Sequence, residues 1–165
     1  MYHSQLTPAT TFKQLLFHDH PGAIAWINGN KNYPKLNGLI KFYHTTYGGV
    51  LLEVQIFNLP DITLPGSSNF YAMHIHETGD CGDAFDHTGM HYNPQNTEHP
   101  NHAGDMPPLL SNQGYAYSVF YDKRFTIQEI IGRAVIIHEK PDDFTTQPSG
   151  NSGAKIGCGV IQWVD

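Results

Sequence analysis

In several stretches of this chain apolar and polar residues alternate at every second position, a period that predicts strands rather than helices. Leu52, Val54 and Ile56 alternate with Glu53 and Gln55, the mark of a strand with one buried face. Upstream, AIAWING runs into NKNYPKLNG, a stretch made of turn residues. GLIKFYHTTYGG and VLLEVQIFNLP then read as a hairpin joined around Tyr47, Gly48 and Gly49. FYAMHIHE, SNQGYAYSVFYDKR, IIGRAVIIHEK and IGCGVIQWVD supply further strands, and Tyr115, Tyr117, Val119 and Tyr121 share one face of the second of these. About eight short strands with closely spaced turn signals predict an antiparallel sandwich or barrel. Only TTFKQLLF, near the N-terminus, offers a helical turn or two.

Between these strands lie two long segments rich in Gly, Pro, Asn and Asp, about residues 79–111 and 141–155. Loops of that length on a strand scaffold are where function is expected. The chain of 165 residues fits one domain, with residues 1–22 as an extension and 23–165 as the folded unit. A composition of 39 % apolar and 15 % charged residues suits a packed core. The net charge of −6, without a Lys/Arg-rich run, argues against nucleic acid as a partner. No apolar run approaches the roughly 18 residues of a membrane-spanning helix. The N-terminus lacks the basic start and apolar core of a secretory signal, which points to the cytoplasm.

The chemistry concentrates between Tyr71 and Asp105, which hold six of the eleven histidines. His74 and His76 stand two apart in a strand, so both imidazoles face one side. His91, His99, His102 and Asp105 follow in the irregular segment. Imidazole suits copper and zinc, and a carboxylate can complete a zinc site. One His-x-His pair reads more simply as surface polarity; a cluster of six with His-x-x-Asp reads as a metal site. A second pair, His18 and His20, has no further ligands nearby and reads as incidental. Cys81 and Cys158 are the two cysteines; they allow one disulfide, and their spacing is not that of a CxxC metal or redox pair.

The blocks HIHETGDC, GMHYNP, HAGD, IIGRAVIIHEKPDD and GNSGAKIGCGVIQ occur in the order of the diagnostic segments of copper/zinc superoxide dismutases. On these blocks the chain resembles that family from about residue 23 to 161. The resemblance implies an eight-stranded Greek-key β-barrel with two long functional loops. It implies copper held by His74, His76, His91 and His138, and zinc held by His91, His99, His102 and Asp105, with His91 bridging. Superoxide would be disproportionated to oxygen and hydrogen peroxide by Cu(II)/Cu(I) cycling, with His91 supplying a proton. Asp142 falls where the family has a carboxylate joining a copper-ligand ring to a zinc-ligand ring. Lys155 falls where the family usually has an arginine above the copper, and would draw in the superoxide anion. Cys81 and Cys158 match the family's disulfide. A homodimer is compatible with the resemblance.

Three features depart from the family pattern. Only Pro100 and Asn101 separate His99 from His102, a shorter zinc segment than expected. His87 is an extra histidine, either exposed or a stand-in zinc ligand. The loop from Pro141 to Lys155 is also short. A copper-binding or carrier domain without turnover, and a sandwich holding structural zinc alone, are the alternatives to an enzyme.

Overall fold

A computed structural model describes residues 15–60 and 68–164. Seven strands form one antiparallel sheet: β1 (Ala23–Gly29), β2 (Asn37–His44), β3 (Val50–Phe57), β5 (Met73–His76), β7 (Ala116–Asp122), β8 (Ala134–His138) and β9 (Lys155–Trp163). Their order is β5-β8-β9-β1-β2-β3-β7. Two short strands, β4 (Phe70–Tyr71) and β6 (Leu109–Leu110), pair separately. β4 leads into β5 across Ala72, and β6 leads into β7 through the Asn112–Tyr115 bridge. The small ladder therefore links the two edges of the curled sheet. The all-β, Greek-key expectation holds.

Alternation decides what fills the interior. Ala25 and Ile27 of β1, Ile40 and Phe42 of β2, and Leu52, Val54 and Ile56 of β3 all lie inside. Each fully buried Ile, Leu, Val or Phe stabilises the fold by roughly 1.5–3 kcal/mol relative to exposure. The face carrying Tyr117, Val119 and Tyr121 is the outer one, and both tyrosines are exposed. β2 and β3 form the expected hairpin, with register running from His44↔Val50 to Asn37↔Phe57.

β8 is buried along its whole length. Val135 and Ile137 face the main core, while Ala134 and Ile136 meet Phe85, Cys158 and Cys81 in a smaller outer cluster. The lid of that cluster is a 3-10 segment, Asp83–Thr88, tied down by the Cys81–Cys158 disulfide.

Two details differ from the sequence expectation. The strand expected over FYAMHIHE is split at Ala72, where the ladder changes partner. The strand expected from Ile130 begins only at Ala134, because a helical turn, α1 (Ile127–Ile130), precedes it. Thr126 caps α1: its hydroxyl accepts from the Glu129 N–H, and the Glu129 carboxylate accepts from the Thr126 N–H. Of the helical turn expected over residues 10–17, positions 10–14 lie outside the described residues; Leu15 is helical, and Leu16 bridges Thr45 in antiparallel fashion. No helix among the described residues is long and apolar enough to cross a membrane.

Candidate metal centre

β5 pairs with β8 on one side only, so its other edge needs partners for its backbone groups. The long loop supplies them. Tyr92 N–H donates to Ile75 O, Ile75 N–H to Gly104 O, and Glu77 N–H to Met90 O. These bonds lay two loop segments beside β5 and form the bridges His76↔His91 and His74↔Asp105. Gly104 is required here: a Cβ at that position would run into Ile75 O, and would lie 2.9 Å from Tyr92 N. Strand alternation then sends Met73 and Ile75 into the core and leaves His74 and His76 on the outer face, under the loop. Both rings do face one side, as the spacing predicts.

His138 ends β8, opposite Lys155 at the start of β9. A register shift at this point lets Ile156 and Gly157 both face inward while Lys155 comes beside His138. His99 is held from the second loop: Gln147 Nε2 donates to His99 O at 2.6 Å, and His99 N–H donates to Gln147 Oε1 at 3.1 Å.

Two groups of four side chains result, each with its ligand atoms within 4.8 Å of one another. The first is His74, His76, His91 and His138; the second is His91, His99, His102 and Asp105. All seven residues are buried, and His91 belongs to both. The short span from His99 to His102 does deliver both rings to one point. His87 is in neither group; its side chain is 59 % exposed and pairs with Asp80. His18 and His20 stack on one another with centroids 5.3 Å apart and join neither group.

The hydrogen bonds fix which ring nitrogen carries each proton. A carbonyl or carboxylate can only accept, so the nitrogen facing it must donate. His76 Nδ1 faces Gly89 O at 2.9 Å, and His138 Nδ1 faces Gly153 O at 3.3 Å. Both Nε2 atoms are then bare lone pairs, yet they lie 3.3 Å apart. Two lone pairs at that distance repel unless a cation lies between them. His74 and His99 each donate from Nε2 to Asp142, at 2.7 and 2.9 Å, which leaves their Nδ1 atoms bare. His74 Nδ1, His91 Nε2, His99 Nδ1 and His102 Nδ1 are buried without a hydrogen-bond partner. His99 Nδ1 and His102 Nδ1 do lie 3.2 Å from Asp105 Oδ2, but they converge on it without hydrogen-bond geometry, as ligands of a common ion do. The donor set fits two metal ions.

Electrostatics agree. Burial holds His74 below the ordinary histidine range, and pushes His76 down to about 2 and His138 to about 3, so these rings are neutral and ready to coordinate. Neighbouring rings add to the effect, as does the Lys155 charge on His76 and His138. Burial alone would raise Asp142, but hydrogen bonds from His74, the Phe144 N–H and His99 outweigh it and keep the carboxylate ionised. Asp105 is lowered in the same direction: burial opposes ionisation, and contacts with His91, the His102 N–H and the His102 ring together outweigh it.

Lys155 is half-buried and turned toward the 3-10 segment. Its ammonium donates to Thr88 Oγ1 at 2.9 Å, Phe85 O at 3.2 Å and Gly89 O at 3.4 Å. Gly89 O is also the acceptor for His76, so Lys155 and a ring of the first group share one anchor. Residues that sequence reasoning missed are Gln147, Arg124 and the carbonyls of Gly89 and Gly153. None belongs to a local motif that would have marked it.

A fold of this topology with two buried ligand groups sharing one histidine defines a class of two-metal β-barrel proteins. The chain belongs to the copper/zinc superoxide dismutase family, whose profile matches residues 36–161. It is 33 % identical over 155 residues to "Superoxide dismutase [Cu-Zn] 3" of Arabidopsis thaliana, covering 84 % of this chain and 88 % of that protein. It is also 33 % identical over 159 residues to "Superoxide dismutase [Cu-Zn]" of Legionella pneumophila, covering 92 % of each. Among solved structures, a superoxide dismutase-like protein from Bacillus subtilis superposes with a TM-score of 0.70 at 31 % identity, over 83 % of this chain and 96 % of that one.

Proposed function

We propose that this protein is a superoxide dismutase, with copper at His74, His76, His91 and His138 and zinc at His91, His99, His102 and Asp105. The observation that carries the reading is the set of bare, buried ring nitrogens aimed inward in both groups. Four imidazoles suit copper, and three imidazoles with one carboxylate suit a closed tetrahedral zinc. Copper would supply the one-electron chemistry that turns two superoxide anions and two protons into oxygen and hydrogen peroxide.

The protein's own groups do the rest. The carbonyls of Gly89 and Gly153 orient His76 and His138, and Asp142 orients one ring of each group. His91 Nε2, with no partner in the protein, is the atom where a proton can be held, while Nδ1 lies 2.7 Å from Asp105 Oδ1, its fellow member of the second group. Lys155 places a positive charge beside the first group in a protein of net charge −6, which favours approach of a small anion there.

The alternative, copper binding without turnover, is favoured by one observation. The ammonium of Lys155 spends its hydrogen bonds on loop acceptors rather than presenting them outward. Superoxide decay measured on copper-loaded and copper-free protein, with both metals counted on the same sample, separates the two readings. Turnover proportional to copper, at one copper per chain, is the expected result. Full copper occupancy without turnover would replace the enzyme by a carrier.

A further inference from the structure

We infer that Arg124 is a positioning residue for the second ligand group, acting through the backbone of the turn that carries His102 and Asp105. This rests on the assignment of that group as a metal site.

Arg124 stands two residues past the end of β7, and no ligand lies near it in sequence. Its Nη1 donates to His102 O at 2.9 Å, and its Nη2 donates to Asp105 O. The guanidinium thus joins the carbonyls of the first and last residues of a four-residue turn. That turn is closed from inside by the Asp105 N–H donating to His102 O at 3.1 Å, and by the His102 N–H donating to Asp105 Oδ2 at 2.9 Å. Both bonds hold the turn's shape; its position against the barrel is set on one side by the Ile75 N–H bond to Gly104 O and on the other by Arg124.

Asp122 aims the clamp. It is the last residue of β7, paired with Val50 in the sheet, and it is buried. Its carboxylate accepts from Arg124 Nη2 at 2.6 Å, from Nε at 3.1 and 3.2 Å, and from the Arg124 N–H at 2.8 Å. Each nitrogen of the planar fork therefore has a fixed acceptor, an arrangement a lysine cannot reproduce. The carboxylate also cancels the guanidinium charge, so a cation can support the turn without repelling a divalent ion held by it.

The need for such a clamp follows from chain length. Two residues separate His99 from His102, and two separate His102 from Asp105. Three ligands on so short a span have little freedom to adjust individually, so the position of the backbone sets the position of all three. A rigid outside support pre-organises them, and contacts of this kind typically carry a factor of roughly 10–100 in metal affinity.

The test uses full-length protein with reduced copper in the first group, which is silent in visible light, and Co(II) as the probe for the second. Co(II) affinity is read by chelator competition and its geometry by its ligand-field absorption, for wild type, Arg124→Met, Arg124→Lys and Asp122→Asn. Arg124→Met should weaken Co(II) binding by about tenfold or more and alter the absorption band. Arg124→Lys should fail to restore either, and copper should stay at one per chain in both. Wild-type affinity and an unchanged band in Arg124→Met would overturn the inference, leaving a surface ion pair. Should that variant not fold, the same unchanged readings in Arg124→Lys and Asp122→Asn would overturn it equally. Failure of the wild type to take up Co(II) at all would instead refute the metal assignment beneath it.

Discussion

At the scale of single residues, proton placement explains most of the site. Asp142 accepts from one ring of each ligand group, and in doing so turns both bare nitrogens inward. Asparagine has the same shape but offers one acceptor and one donor, so Asp142→Asn forces one of the two rings to present its lone pair to the amide instead. The variant should lose roughly 10–100-fold in affinity at the group whose ring turns over, measured by metal titration, while the fold persists. Equal affinity in variant and wild type would mean that the tautomers are set elsewhere. Gly150, at a φ of +68°, lies so close that a Cβ there would enter the Asp142–His99 contact, which is why that loop carries no side chain at this point. Lys155 is a different case, because its charge and its hydrogen bonds act together. Lys155→Glu should slow superoxide turnover, with the deficit largest at low salt, where the reversed charge is least screened. A deficit independent of salt would assign the loss to the broken contacts with Thr88 and Phe85.

At the scale of elements, two strands and two loops build the centre. The loop segments at 90–92 and 103–105 serve as the missing neighbour of β5, and the disulfide fixes the 3-10 segment against β8 and β9. The bridge spans a sequence separation of 77 residues. On the chain-entropy account, closing a loop of that length contributes about 4–5 kcal/mol. Cys81→Ser with Cys158→Ser should lower the melting temperature strongly. Metal binding should suffer less, because Lys155 still holds the 3-10 segment through Thr88 and Phe85. A melting temperature equal to wild type would show that the segment is held mainly by its packing.

Much of this was legible in the sequence, for identifiable reasons. The period of two along β1, β2 and β3 is a local signal with a single physical meaning, and it places the core. The His-x-His spacing on a strand places two rings on one face without knowledge of the rest. The helical turn at Ile127–Ile130 carried a readable cap, Thr126 with Glu129, but the apolar run that follows it resembles strand and masked it. β6 is two residues long, too short for any period to declare itself. Arg124 and Gln147 could not be found, because their meaning lies in backbone acceptors 19 and 48 residues away. His87 shows the converse: its place inside the histidine-rich stretch suggested a ligand, and its exposure removes it.

At the scale of the whole molecule, the buried rings set the response to acid. The folded chain keeps His76 and His138 neutral down to about 2 and about 3, whereas the unfolded chain takes up protons below the ordinary 6.5. The unfolded state therefore binds more protons across that window, and stability of the metal-free protein falls as pH drops through it. Asp142 acts in the same direction. Its folded value lies below the ordinary 3.8, so its contribution is present above that pH and lost on further acidification. Melting temperatures of metal-free protein should decline steadily from about pH 7 to about pH 4. A flat profile would contradict the neutral, buried rings.

The sharing of His91 between the groups, and the joining of His74 to His99 through one carboxylate, means that two ions held as proposed would not be independent guests. Whatever factor the first ion contributes to the affinity for the second, the second must return to the first, because the free energy of filling both is the same by either order. Supply of one metal would thus govern retention of the other. A shortage of either element in the protein's surroundings would be felt at both positions.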